Sequence, residues 1–113
     1  MKRAEVYRSS DARPERGDKA GYYVVVSRNY IARSRDIDTV ICAPVYSRIL
    51  GVSTEITIGP GSGVPHVSSV RCDFLMLMFK SRLKYVGQLA EQDVERLDRA
   101  LGAALGIDSH EHA

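Results

Sequence analysis

The side chains of this sequence that could do chemistry are cations interleaved with hydroxyl-bearing rings. Arg13, Arg16 and Lys19 fall in one polar stretch, Arg28, Arg33 and Arg35 in a second, and Ser47-Arg48 closes an apolar run. Tyr22, Tyr23, Tyr30 and Tyr46 lie between them. Guanidinium and ammonium groups beside aromatic faces suit a single-stranded nucleic acid, because the charges track phosphates and the rings stack bases. A solvated surface with half-buried tyrosines has the same composition, so residue types alone leave both possibilities open.

Other chemistries are poorly served. His66 is the only histidine before the terminal stretch that carries His110 and His112, so a Ser-His-Asp or paired-histidine arrangement cannot be assembled from the body of the chain. No GxxxxGK[ST] or HExxH pattern occurs, and Gly59, Gly61 and Gly63 recur without the strand–loop–helix setting of a phosphate cradle. Cys42 and Cys72 sit in apolar or β-like runs, outside any CxxC or Cys/His spacing, and read as two buried thiols in a reducing compartment. Met76 and Met78 read as core filler. Neither a metal nor another cofactor is expected.

The elements that must position these groups are mostly short strands. Lys2–Tyr7 reads as a strand, followed by a Pro- and Gly-punctuated loop to Ala20. Tyr22–Ser27 and Thr39–Ser47 are aromatic and β-branched runs that fit buried strands, with Pro44 marking a bulge or an edge. The stretch Arg28–Asp38 between them is polar. Val52–Ile58 alternates in part, as a half-exposed strand does. Gly59–Pro65 is a turn, and Ser68–Cys72, Phe74–Phe79 (a strand or a brief helical turn) and Tyr85–Leu89 follow as further β-like segments. From Glu91 to Gly106 the period changes: Val94, Leu97, Leu101, Ala104 and Leu105 form one helical stripe, with Glu91 and Asp93 in the first turn and Gly106 as the stop. The expected fold is mainly β with a C-terminal α-helix, a small SH3-like barrel, as a single domain over residues 1–107 with a flexible tail at 108–113.

Charge permits a polyanionic or an acidic partner. Residues 1–90 hold 14 Lys/Arg against 8 Asp/Glu, whereas residues 91–113 hold 2 against 6, so a basic body carries an acidic end. No apolar run reaches the roughly 18–20 residues a bilayer requires, and the charged start Met1–Glu5 lacks the apolar core of a signal peptide. A cytoplasmic protein with no membrane contact is expected.

The ordered series Tyr-Val-Val-Val-Ser-Arg-Asn (23–29), Val-Ile-Cys-Ala-Pro-Val-Tyr-Ser-Arg (40–48), Thr-Glu-Ile (54–56), Ser-Gly-Val-Pro (62–65) and Ser-Ser-Val (68–70) resembles the MazF/PemK (Kid) toxins. The resemblance continues through Lys80-Ser81-Arg82-Leu83, Val86-Gly87-Gln88-Leu89 and the helix with Leu97-Asp98-Arg99-Ala100-Leu101, and so spans about residues 2–107. It implies the SH3-like toxin barrel, a homodimer, cleavage of single-stranded mRNA without a metal, and neutralisation by a cognate antitoxin.

The sequence departs from the family pattern at both usual catalytic positions. Gly21-Tyr22 stands where the family has Arg-Pro, and Tyr46 stands at the position of its threonine, followed by a matching Ser47-Arg48. Arginine contributes fixed charge and bidentate donors, both absent from glycine. On this resemblance a relocated site draws catalytic groups from Tyr46, Ser47, Arg28 and Lys19, with Arg13, Arg16, Tyr22, Tyr23 and Arg48 binding RNA. Two alternatives stay open: a homologue that binds RNA or a partner without cleaving, and a CcdB-like gyrase inhibitor, which needs none of the missing residues.

Overall fold

The computed structural model describes residues 1–11 and 20–108. Arg13, Arg16 and Lys19, and also His110 and His112, lie outside the described residues. Within them are seven strands: β1 (Glu5–Ser9), β2 (Gly21–Val25), β3 (Thr39–Tyr46), β4 (Glu55–Ile58), β5 (Ser68–Arg71), β6 (Met76–Phe79) and β7 (Lys84–Gln88). Two α-helices join them, α1 (Asn29–Arg33) after β2 and α2 (Glu91–Leu105) at the end. The sheet is antiparallel in the order β4-β5-β3-β2-β1-β7, and β6 pairs with the first half of β3 beside β5.

The central strands read as continuous apolar runs because both of their faces are covered. On one face Val6, Val24, Ala43, Val45, Ile56 and Val70 pack with Leu97, Ala100 and Leu101 of α2. On the other, Tyr7, Tyr23, Val25, Val40, Cys42 and Met78 form a second core that includes Ala32 of α1. Both cysteines are free and buried, which pushes the Cys42 thiol up to about 12 and that of Cys72 to about 11. Among the described residues no helix is long and apolar enough to cross a membrane.

The sheet curls into a half-barrel because its two end strands approach each other. A 3₁₀ turn after β4 (Pro60–Ser62) sits directly on the β7 backbone. A Cβ on Gly87 would fall 2.1 Å from the Ser62 carbonyl oxygen, so glycine is required for this approach. Helix α2 then closes against the first core, its C-terminus stopped by Gly106 at φ 69°, where the N–H groups of Gly106 and Ile107 both reach the Gly102 carbonyl.

Four sequence expectations need adjustment, one being that the strand expected from Val52 begins at Glu55 after a turn in which Glu55 N–H donates to the Val52 carbonyl. The first strand runs from Glu5 to Ser9 rather than from Lys2, because a turn precedes it: Glu5 N–H donates to the Lys2 carbonyl and Ala4 takes φ 72°. The polar stretch 28–38 contains α1, whose carbonyls at Ile31 and Ser34 accept hydrogen bonds of 2.6 and 2.8 Å from Lys80 Nζ. Pro44 is neither at an edge nor in a bulge. Val26 N–H donates to the Ile41 carbonyl, so the backbone groups of odd-numbered β3 residues face β2 and those of even-numbered ones face away. The N–H that Pro44 lacks therefore points into the gap where β6 ends opposite Cys42 and β5 begins opposite Val45.

Candidate functional site

At the end of β3, Tyr46 pairs with Ser69 of β5, and Ser69 pairs with Thr57 of β4. Two residues along, on the same sheet face, Glu55 of β4 stands opposite Arg71 of β5. One face therefore presents a hydroxyl row and a charged pair side by side. Gly21, one residue before Tyr22 in the β2–β3 ladder, lies next to Tyr46 on that same face. Gly21 thus borders this cluster through Tyr46.

Glu55 organises the loop that follows Tyr46. Its carboxylate accepts a 2.5 Å hydrogen bond from Ser69 Oγ, 3.1 Å bonds from Leu50 N–H, and a further one from Gly51 N–H. Gly51 adopts φ 78°, a left-handed conformation that favours glycine, and this lets the chain turn around the carboxylate. Burial pushes the Glu55 acid up, but the Ser69 hydroxyl and the N–H groups of Leu50, Gly51 and Val52 outweigh it and hold it below its usual range. Ser47 and Arg48 ride on this loop and are exposed.

After β5 the chain turns tightly, with Phe74 N–H donating to the Arg71 carbonyl at 3.4 Å. Within that turn Arg71 grips Asp73 in a bidentate pair, Nε to Oδ1 at 2.9 Å and Nη2 to Oδ2 at 2.7 Å. The guanidinium holds the Asp73 carboxyl below its usual range, so it is ionised at neutral pH, and Asp73 in turn pushes Arg71 up. Among the described residues this pair uses two of the five guanidinium N–H groups, leaving donors for an incoming anion. The Phe74 ring meets the Tyr46 ring edge-to-face, with centroids 6.4 Å apart.

The structure separates the sequence-derived candidates. Tyr46 comes together with Ser69, Glu55, Arg71 and Asp73, while Ser47 and Arg48 follow it on the loop that Glu55 holds. Arg28 does not join them: it precedes α1 beyond Val25, which pairs with Cys42, and roughly 13 Å of β3 separates Cys42 from Tyr46. It lines instead a cleft of about 1040 Å³ with Tyr30, Ile41, Leu75, Asp98 and Leu101. Tyr23 is 0% exposed within the second core, so its ring cannot meet a nucleic acid. Tyr22 is half-buried against the first core, on the face opposite Tyr46.

Arg71, Asp73, Glu55 and Ser69 were missed from sequence. The usable signal was Arg71-Cys72-Asp73, two opposite charges one residue apart at the end of a β-like run. Among the described residues no group of three or more His, Cys, Asp or Glu side chains could hold a metal ion.

The profile of a family described as PemK-like, MazF-like toxin of type II toxin–antitoxin systems matches residues 2–105. No curated protein gives a significant match. A mycobacterial endoribonuclease solved in complex with its cognate antitoxin superposes with a TM-score of 0.79 at 26% identity, covering 96% of this chain and 97% of that one. A second mycobacterial endoribonuclease gives 0.75 at 25% identity, covering 95% and 92%. The Mycobacterium tuberculosis toxin MazF-mt6, at 22% identity with 92% and 98% coverage and a TM-score of 0.78, shares the fold.

Proposed function

The chain belongs to the PemK-like, MazF-like family and is the toxin component of a type II toxin–antitoxin system, and from that premise we propose that it cleaves single-stranded RNA with the Arg71–Asp73 pair as its chemical centre. The observation that carries the proposal is the intact bidentate pair on the sheet face of Tyr46 and Ser69, two strands away from Gly21, where the resemblance places the family's arginine.

The reaction needs no group outside the RNA and these side chains. The ribose 2′-oxygen attacks the adjacent phosphorus and its proton passes to the Asp73 carboxylate. Arg71 donates its remaining N–H groups to the non-bridging oxygens as negative charge builds there. The bond to the 5′-oxygen breaks, the Tyr46 hydroxyl protonates that oxygen, and the products are a 2′,3′-cyclic phosphate and a 5′-hydroxyl. Arg48 on the loop beyond Tyr46 binds a flanking phosphate, with Ser47 as a hydroxyl donor beside it. Arg13, Arg16 and Lys19, which precede Gly21 in the chain, add positive charge for the same backbone.

The paired Arg71 and Asp73 favour a cleaving enzyme over a non-catalytic homologue, and the endoribonucleases at 25% and 26% identity favour it over a CcdB-like gyrase inhibitor. By the same family membership the toxin acts in the cytoplasm, is neutralised by a cognate antitoxin and works as a homodimer. Ile41 and Leu77 pair across β3 and β6, Phe79 lies next to them on the same face, and all three are exposed, which supplies an apolar face for the second copy. The test is incubation with single-stranded RNA in EDTA, with cyclic-phosphate ends as the expected product and loss of cleavage in Arg71→Ala.

A further inference from the structure

Phe74 is a large apolar ring, 46% exposed, that closes the turn begun by Arg71. Neither hydrophobic core includes it. Its ring contact is with Tyr46, at an interplanar angle of 74°. In an edge-to-face pair, whichever ring supplies the edge, at least one face of each ring stays uncovered by the other. The Phe74 ring is thus braced on one side and open on another. It also directly follows Asp73, and the Arg71–Phe74 hydrogen bond fixes its position relative to the ion pair.

An exposed aromatic face held beside an anion-binding guanidinium is the combination that engages a nucleotide, with the phosphate on the cation and the base on the ring. The Arg71–Phe74 hydrogen bond closes a four-residue turn whose end Cα atoms lie within about 7 Å, so the two contacts fall within the span of a single nucleotide or its neighbour. We propose that Phe74, braced by Tyr46, is a stacking subsite for a nucleobase of the RNA next to the phosphate held by Arg71. This rests on the ribonuclease assignment and adds to it a positioning element. Stacking tolerates any base, because every base has a π-face, so the subsite holds the strand in place rather than reading its identity. Holding the base also fixes the ribose beside Asp73, where the 2′-hydroxyl must lie.

The experiment measures binding, so it does not depend on turnover. Full-length wild type, Phe74→Ala and Phe74→Trp are titrated with a short single-stranded RNA whose 2′-oxygens are methylated. They are also titrated with an abasic sugar–phosphate chain of the same length and charge. Phe74→Ala is expected to weaken the base-bearing chain by about ten- to a hundredfold, the scale of one lost stacking contact, and to leave the abasic chain unchanged. Phe74→Trp is expected to restore affinity, with its fluorescence quenched by the base-bearing chain only. Equal weakening for both chains, or no weakening of either, overturns the stacking subsite while leaving the ribonuclease assignment intact. A wild type that binds neither chain overturns both.

Discussion

Ser69 Oγ donates a 2.5 Å hydrogen bond to the Glu55 carboxylate, although Glu55 sits opposite Arg71 in the strand register and Ser69 sits opposite Thr57. This diagonal contact joins the strand that faces Tyr46 to the loop that follows it, because the same carboxylate also receives Leu50 and Gly51. The loop bearing Ser47 and Arg48 is therefore anchored by one acidic side chain.

Replacing Glu55 with Gln should loosen that loop at a modest global cost. Hydrogen bonds to a charged acceptor contribute about 1.5–3 kcal/mol when buried, and solvent screening at this largely open site reduces the expected loss to about 1 kcal/mol. Because the folded-state acid is stronger than its ordinary value of 4.5, this contribution is present above that value and disappears as pH falls through the lower folded value. Urea unfolding across the acid range should show wild type and Glu55→Gln converging in stability at the lowest pH. A constant gap between them would contradict the role given to the ionised carboxylate.

Gly87→Ala should be severely destabilising, since its new Cβ would meet backbone, at Ser62 and Gly63, rather than a side chain able to move. Overpacking of this kind costs about 1–3 kcal/mol or more. Gly59→Ala, where nothing lies within 4 Å of the added Cβ, should be tolerated. Thermal unfolding of the two variants provides the comparison, and equal melting temperatures would refute the close approach of the Pro60–Ser62 turn to β7.

Leu77→Asp combined with Phe79→Asp should produce a folded monomer. Both side chains are exposed, at 65% and 61%, so the changes leave the protomer core intact while placing charge on the apolar face. Sedimentation analysis distinguishes the outcomes; a dimer that persists in the double variant would move the interface elsewhere.

Much of the framework was legible in the residues themselves. The helical stripe through Leu97 and Leu101, the buried β-branched runs and the stop at Gly106 each follow from a local period or a local conformational need. Helix α1 was not legible, because five residues carry no amphipathic repeat and its C-terminal carbonyls are satisfied by Lys80, far along the chain. Tyr23 was misjudged for a related reason. Adjacent tyrosines in a strand face opposite ways, and the second core that buries Tyr23 is completed by Ala32 and Met78 from other elements. The site was the least visible part: Glu55, Ser69 and Arg71 become neighbours only through the β4–β5 register, and no motif encodes that pairing.

The central claim is that Arg71 and Asp73 perform the RNA-cleaving chemistry. The direct measurement is the single-turnover rate of RNA cleavage in EDTA for wild type, Arg71→Ala, Asp73→Asn and Arg28→Ala, with 2′,3′-cyclic phosphate ends confirmed by mass. Arg71→Ala should lose about a hundredfold or more and Asp73→Asn a comparable factor, while Arg28→Ala retains the wild-type rate. Full cleavage by Arg71→Ala, or a loss confined to Arg28→Ala, would contradict the claim.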